Sequence, residues 1–385
     1  MPSTHVSMDE VLCCFEGLED PRSEVNRKHP LVSVVVIAIM GVLAQATGPT
    51  GIATWAKFNA EWLALQVPLP HGVPGKDVFR RVLCALKPDV FQACFADWIA
   101  MLREKAALAT GVERPTLAVD GKTLRRSHDA KKGLGALHSV SVWASEYGLT
   151  LAQVATDEKS NEITAIPAVL QLVDLTGAIV TIDAIGTQKT IAAQIIDGGG
   201  DYVLALKRNH ETLHDAALDY MLEQMDNDFA DVEVRQHVTQ DKGHGRVETR
   251  QYIQLKAPAT LPGISAWKGL MTIGAVVLTM IRNGKETTET RFFISSLGLG
   301  VKQFAKAVRN HWGIENTCHW SLDVTYREDD SRIRDVNARE NFAWLNRFTL
   351  SLLKQHPGKG SLVMKRRGCG WKPQFMLEVL VGTKV

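Results

Sequence analysis

The chain has few cysteines and arranges them in no pattern. Cys13, Cys14, Cys84, Cys94, Cys318 and Cys369 are spread over 385 residues with no C-x-x-C pair. That excludes a zinc ribbon or a disulfide framework and leads us to expect reduced thiols in a cytoplasmic protein. No secretory leader is expected, because the first thirty residues scatter their charges and hold no continuous apolar region. The longest apolar stretch, Leu31 to Ala46 (LVSVVVIAIMGVLAQA), contains Ser33 and Gln45 and falls short of the ~20 residues a spanning helix needs. It reads as a buried core helix, a membrane helix being the alternative. Gly198-Gly199-Gly200 is followed by neither Lys-Ser/Thr nor a helix start, so it is a turn and not a phosphate loop. Internal repeats, low-complexity tracts and local Ser-His-Asp or Cys-His arrangements are all missing.

Charge is nearly balanced at +2, but unevenly divided: residues 301–385 carry +7, including Lys365-Arg366-Arg367, and the remainder −5. A local basic excess is what an electrostatic footprint for DNA requires, and a solvated tail would look the same. With 45% hydrophobic and 22% charged residues, the chain is globular, and its length calls for two or three domains.

The first ~110 residues read as helices, over Val11–Leu18, Leu31–Ala46, Ile52–Leu65 and Val78–Leu108, from apolar spacing near 3.6. At Pro115 the pattern changes. Thr116–Asp120, His138–Ser145 and Leu149–Ala155 read as consecutive strands. Next come a helix over Glu162–Leu175, a strand over Ala178–Ile182, a helix over Gln188–Ile196 and a strand over Asp201–Leu206. Three adjacent strands followed by alternation predict an α/β fold with a mixed sheet flanked by helices, an order that suits an RNase H-like core. Residues 231–297 read as a β-rich insertion, before helices over Val301–Leu322 and Asn337–Leu353.

Two carboxylates end buried-type strands: Asp120 after LAV and Asp183 after VTI. An ionised carboxylate there is costly to desolvate unless a positive charge meets it, and Mg²⁺, a hard cation that takes oxygen ligands, answers that need. Each Asp could equally cap the turn that follows. Phosphodiester cleavage uses two ions ~3.5–4 Å apart, which asks for a third carboxylate. Glu315, in a helix with Phe304, Val308, Trp312 and Ile314, is the candidate; Asp323, Glu328, Asp329 and Asp330 compete, Asp323 most closely. A separate metal set, His311, Glu315 and His319, is spaced by four, but three successive turns splay too far for one tight tetrahedral site. Lys122, Arg125, Arg126, Lys207 and Arg208 flank the aspartates and would hold DNA phosphates, or are ordinary strand-end charges.

Several strings then match a known family. Phe15-Glu-Gly-Leu-Glu-Asp-Pro-Arg22, Ala118-Val-Asp-Gly-Lys-Thr-Leu-Arg125, Glu158–Pro167 (EKSNEITAIP), Ile182-Asp-Ala-Ile-Gly-Thr-Gln-Lys189, Gly243-His-Gly-Arg-Val-Glu-Thr-Arg250 and Arg309-Asn-His-Trp-Gly-Ile-Glu-Asn316 occur in order. The chain resembles the insertion-sequence transposases of the ISAs type, a branch that includes the H-repeat-associated proteins linked to Rhs elements. The resemblance spans nearly the whole chain. It implies a helical transposase-associated domain over residues 1–110, an RNase H-like DDE catalytic domain over 111–354 and a basic tail over 355–385. It further implies that Asp120, Asp183 and Glu315 are the catalytic and metal-binding carboxylates, with Mg²⁺ or Mn²⁺ as cofactor. Double-stranded DNA is the implied partner, for a homodimer in the cytoplasm of a bacterium, associated with the nucleoid when bound. His244, Arg246, Arg309 and His311 join the residues expected to contact DNA. Val308, His311 and Leu322 stand where the broader class often has Tyr, Arg and Lys, so that signature is not met. A nuclease without strand transfer, or a DNA-binding relative that no longer catalyses, are the alternatives.

Overall fold

The computed structural model describes residues 7–156, 162–243 and 245–382. The chain forms two compact units, one of residues 1–112, 121–159 and 315–385, the other of residues 113–120 and 160–314.

In the first unit, the early helices are α1 (Met8–Cys13), α2 (Leu31–Leu43), α3 (Pro49–Phe58), α4 (Ala60–Leu63), α5 (Lys76–Ala85), α6 (Pro88–Ala93) and α7 (Ala96–Thr110). The single helix expected over Val78–Leu108 is thus three. Pro88 lacks the N–H that would continue α5 and instead starts α6. The apolar run from Leu31 is a core helix: all of α2 except Val32 is buried, as expected for a helix packed on all sides. Among the described residues no helix is long and apolar enough to cross a membrane. Two strands, β2 (Leu137–Ala144) and β3 (Leu149–Thr156), pair antiparallel.

The same unit takes the end of the chain, with α12 (Trp320–Val324), α13 (Val336–Gln355), α14 (Leu362–Trp371) and α15 (Pro373–Val381). Helix α13 packs against α2, α5, α6 and β3. Its Asn341 side chain donates to the carbonyls of Leu83 and Leu86, both at 2.9 Å, which tethers the C-terminal end of α5. Phe15, Phe95, Trp98 and Phe348 pack edge to face around it. Helices α2, α5 and α6 thus pack on α13, and α14 and α15 make up most of the segment after residue 355.

The second unit holds α8 (Glu162–Gln171), β4 (Ile179–Ile182), α9 (Lys189–Asp197), β5 (Asp201–Leu206), α10 (Glu211–Asp226), β6 (Val234–Gly243), β7 (Arg246–Lys256), β8 (Thr272–Arg282), β9 (Lys285–Ser295) and α11 (Val301–Gly313). Strand β1 (Thr116–Leu124) contributes Thr116–Asp120 to this unit and its last four residues to the other. The strand order is β3-β2-β1-β4-β5-β9-β8-β7-β6. β1, β4 and β5 are parallel, and β5 to β9 and onward are antiparallel. This is a mixed α/β sheet of nine strands. The strands expected as an insertion continue it: β9 pairs along β5, with Leu204 opposite Ile294.

Helix α11 is seated on this sheet through a missing side chain. A Cβ on Gly274 would lie 2.4 Å from Phe304 Cζ, and Phe304 is fully buried against Tyr252 and Phe293. The ring has nowhere to go. Gly274→Ala is therefore expected to cost about 1–3 kcal/mol, read as a lower urea midpoint with an unchanged denaturant slope; an unaltered midpoint would show that α11 does not depend on this contact.

Candidate active site

The parallel pairing of β1 with β4 sets Val119 opposite Ile182, so the next residues are Asp120 and Asp183, on strands ~4.8 Å apart. The residues before them, Leu117, Ala118 and Val119 on one strand and Ile179, Val180 and Ile182 on the other, are buried, whereas both aspartates are partly exposed. Asp183 ends its strand as expected. Asp120 does not, since β1 runs on to Leu124 with Lys122 and Leu124 buried.

The turn after Asp183 is held from several sides. Asp183 Oδ1 accepts from the Ile185 N–H at 3.0 Å, which is the capping role, and it engages one of the two carboxylate oxygens. A Cβ on Gly186 would stand 2.3 Å from Ile182 Cγ2 and 2.5 Å from Ile166 Cδ1. Thr187 Oγ1 donates to the Ala205 carbonyl at 2.6 Å and Asn209 Nδ2 to the Ala184 carbonyl at 2.6 Å. Lys207 and Arg208, between those braces, are exposed.

His311, in the last turn of α11, places Nδ1 3.0 Å from Thr181 Oγ1. Burial pushes its pKa down to about 4, opposed in part by the Asp183 carboxylate. It is neutral at pH 7 and offers no cation to a phosphate. Arg309 is exposed and lies 3.6 Å from Asp241. Arg246 pairs with Glu248 at 2.6 Å, and Arg250 pairs with both Glu248 and Asp241. His244 lies outside the described residues, as do Glu158–Asn161 of the family string that precedes α8.

The other candidates belong to the first unit. The helix expected over Val301–Leu322 is not uniform: α11 ends at Gly313, Ile314–His319 form a π-helix, and α12 follows. Glu315 is exposed at the start of that wide turn, a geometry frequently found at functional sites. Its competitors are engaged elsewhere. Lys122 Nζ, only 7% exposed, lies 2.6 Å from Asp323, 3.3 Å from Asp329 and 3.9 Å from Glu328. Glu328, itself buried, also accepts from Arg347 Nη1 and from Asn346 Nδ2, each at 3.3 Å. Arg125 pairs with Asp329 and Arg126 with Asp330, both at 3.3 Å. The basic run after Asp120 thus meets the acidic run after Glu315, and Lys122 is an internal cation, not a DNA-facing one.

Sequence reasoning missed Arg347, whose Nη2 donates to Ser139 Oγ at 3.1 Å from a fully buried position. It also took Arg366 for surface charge. Arg366 is buried over the Tyr326 ring, 3.7 Å from its centroid, and donates to the Thr325 and Val42 carbonyls. The apolar company of both on α13 and α14 was the available signal.

As hard oxygen donors at matched register, Asp120 and Asp183 suit a divalent cation. Among the described residues no three His, Cys, Asp or Glu side chains are gathered as a metal set.

Comparison with known proteins shows the family. The family described as "Transposase DDE domain" matches residues 112–353. The chain belongs to that family. A second family, described as DDE_Tnp_1-associated, matches residues 12–99 of this DDE-family chain. "H repeat-associated putative transposase YhhI" of Escherichia coli K12 is 33% identical over 373 residues, covering 95% of this chain and 96% of that protein. "Putative transposase YncI" of Escherichia coli O157:H7 is 35% identical over 382 residues, 97% of this chain and 95% of its own length. Among solved structures, a piggyBac transposase synaptic complex with hairpin DNA aligns over 97% of this chain and 82% of that one, at 10% identity and a TM-score of 0.41.

Removing one partner of a buried ion pair leaves the other charge stranded. Lys122→Ala and Arg347→Ala are each expected to lose about 3 kcal/mol or more by that principle, whereas Asp323→Asn, at a partly exposed partner, should lose about 1 kcal/mol or less. Equilibrium unfolding of the three variants checks the ranking; equal losses would mean that Glu328 is not the centre of the network.

Proposed function

We propose that this protein cuts DNA at the ends of a mobile element and joins the freed ends to a target, with Asp120, Asp183 and Glu315 as its acidic residues. The observation that carries this reading is the pairing of β1 with β4, which puts two carboxylates side by side at the rim of a buried sheet. Two neighbouring anions repel and are costly to desolvate, so a shared cation is the arrangement that stabilises them. Glu315 enters on its family string and on its place in the π-helix, with Asp323 already held by Lys122.

The three carboxylates would hold Mg²⁺ or Mn²⁺, which when bound supplies an activated water and offsets charge on the phosphate. The protein's own part is placement. The braces around Asp183 fix one carboxylate before any substrate arrives, and such preorganisation lowers the barrier without reorganisation during the reaction. In cleavage, water gives up a proton and its oxygen bonds to phosphorus as the P–O3′ bond breaks. The released 3′-hydroxyl then bonds to a target phosphorus as a target P–O bond breaks. Lys207, Arg208, Arg246 and Arg309, with the exposed Arg125 and Arg126, are the cations that would position duplex DNA by its phosphates. A homodimer would bring two ends together.

The test uses a plasmid carrying the genomic DNA that flanks the reading frame, incubated with protein and Mg²⁺. Asp120→Ala, Asp183→Ala and Glu315→Ala should each lower cleavage on the order of 10³-fold while retaining DNA binding; Asp323→Asn should still cleave. Full cleavage by any one of the three removes that residue from the proposal. Cleavage without joined products would make the protein a nuclease, and binding alone would make it a silent relative.

A further inference from the structure

The ends of two hairpins in the second unit lie beside each other. Strand register puts Arg246 of β7 opposite Arg282 of β8, and Arg282 opposite Lys285 of β9. Directly opposed residues leave a sheet on the same face, so the three cations form one row across the last rung of the sheet. On the far side of Arg246 the rung continues with Gly243, which has no side chain to close the row. All three cations are exposed. Among the described residues, Arg246 is the member of the row with an ion pair, to Glu248 Oε1 at 2.6 Å.

Like charges directly opposite one another destabilise a sheet. Here two such pairs adjoin, in a position where nothing in the core requires a cation. The turn that presents them is tight: Asn283 and Gly284 take φ of 51° and 76°, the two-residue reversal whose twist matches the strands. Arg282 and Lys285 therefore form the last paired rung at the turn's base. From β7 to β9 the row spans two strand spacings, ~10 Å, against one phosphate per ~3.4 Å of axis on each DNA strand.

We infer that the Arg282–Lys285 turn is a phosphate-binding element that, with Arg246, grips the backbone of duplex DNA at the distal end of the sheet. This rests on the DNA-cutting reading above and adds to it a contact that no family string marks. The interaction is with phosphate alone, so it is independent of base sequence and fades with salt.

The experiment is binding of a random-sequence 40-base-pair duplex, read by fluorescence anisotropy across a potassium chloride series. The Arg282→Gln/Lys285→Gln double variant is compared with wild type and with a Lys57→Gln/Lys76→Gln control on the exposed surface of α3 and α5. Loss of two phosphate contacts should make the slope of log affinity against log salt shallower by about 2, with roughly tenfold weaker binding near ~0.15 M salt. Thermal melts of the double variant should not fall below wild type, because both side chains are exposed and their removal relieves repulsion between opposed like charges. A slope equal to that of the control overturns the inference while leaving the DNA reading intact. Wild-type protein that binds no duplex at all overturns that reading, and this inference with it.

Discussion

The apolar runs Leu117–Val119 of β1 and Ile179–Ile182 of β4 lie parallel and in register, and each is followed directly by an aspartate. Burial of Leu117–Val119 and Ile179–Ile182 supplies the free energy that keeps the strands paired. The same pairing forces two anions into adjacency. Hydrophobic packing thus decides where the two carboxylates stand, at the partly exposed rim of the sheet. The parallel alignment with β5 and the braces from Thr187 and Asn209 keep that rim from relaxing apart.

In the first unit the governing interaction is ionic. Lys122, Glu328 and Arg347 are buried together with Asp323 and Asp329 at their margin. Such a network stabilises little against an apolar replacement, but it penalises any rearrangement that separates one charge from its partners. It ties the end of β1 to α13 and to the turn after α12, all within one core. Arg366, donating to Val42 and Thr325 carbonyls, extends the same strategy to α14. Cations that a formal count would assign to DNA are partly spent on holding the fold.

How far the residues alone reveal this depends on the range of the interaction. The strands around Asp120 and Asp183 were legible because LAV and VTI are local apolar runs, and the family strings ordered the carboxylates. The continuation of β1 was not legible, because Lys122 is buried only by virtue of partners some two hundred positions away. The pairing of β9 with β5 joins segments about ninety residues apart, so strands that read as an insertion belong to the main sheet. Pro88 did announce the break between α5 and α6, yet the apolar spacing on either side masked it. The π-helix at Glu315 left no local mark, since one extra residue per turn alters neither composition nor hydropathy.

Gly186 ties the placement of Asp183 to residues that face away from solvent. The place a Cβ would take is filled by Ile182 of β4 and Ile166 of α8, so the turn that carries the carboxylate has the shape of a cast taken from the core beneath it. Ile166 cannot be enlarged, nor Gly186 exchanged, without shifting an oxygen atom at the rim. Over evolutionary time, variation at these interior positions is then limited by the geometry of the rim as well as by stability. Two homologues could keep every charged residue and still differ at Asp183 through a single methyl group inside.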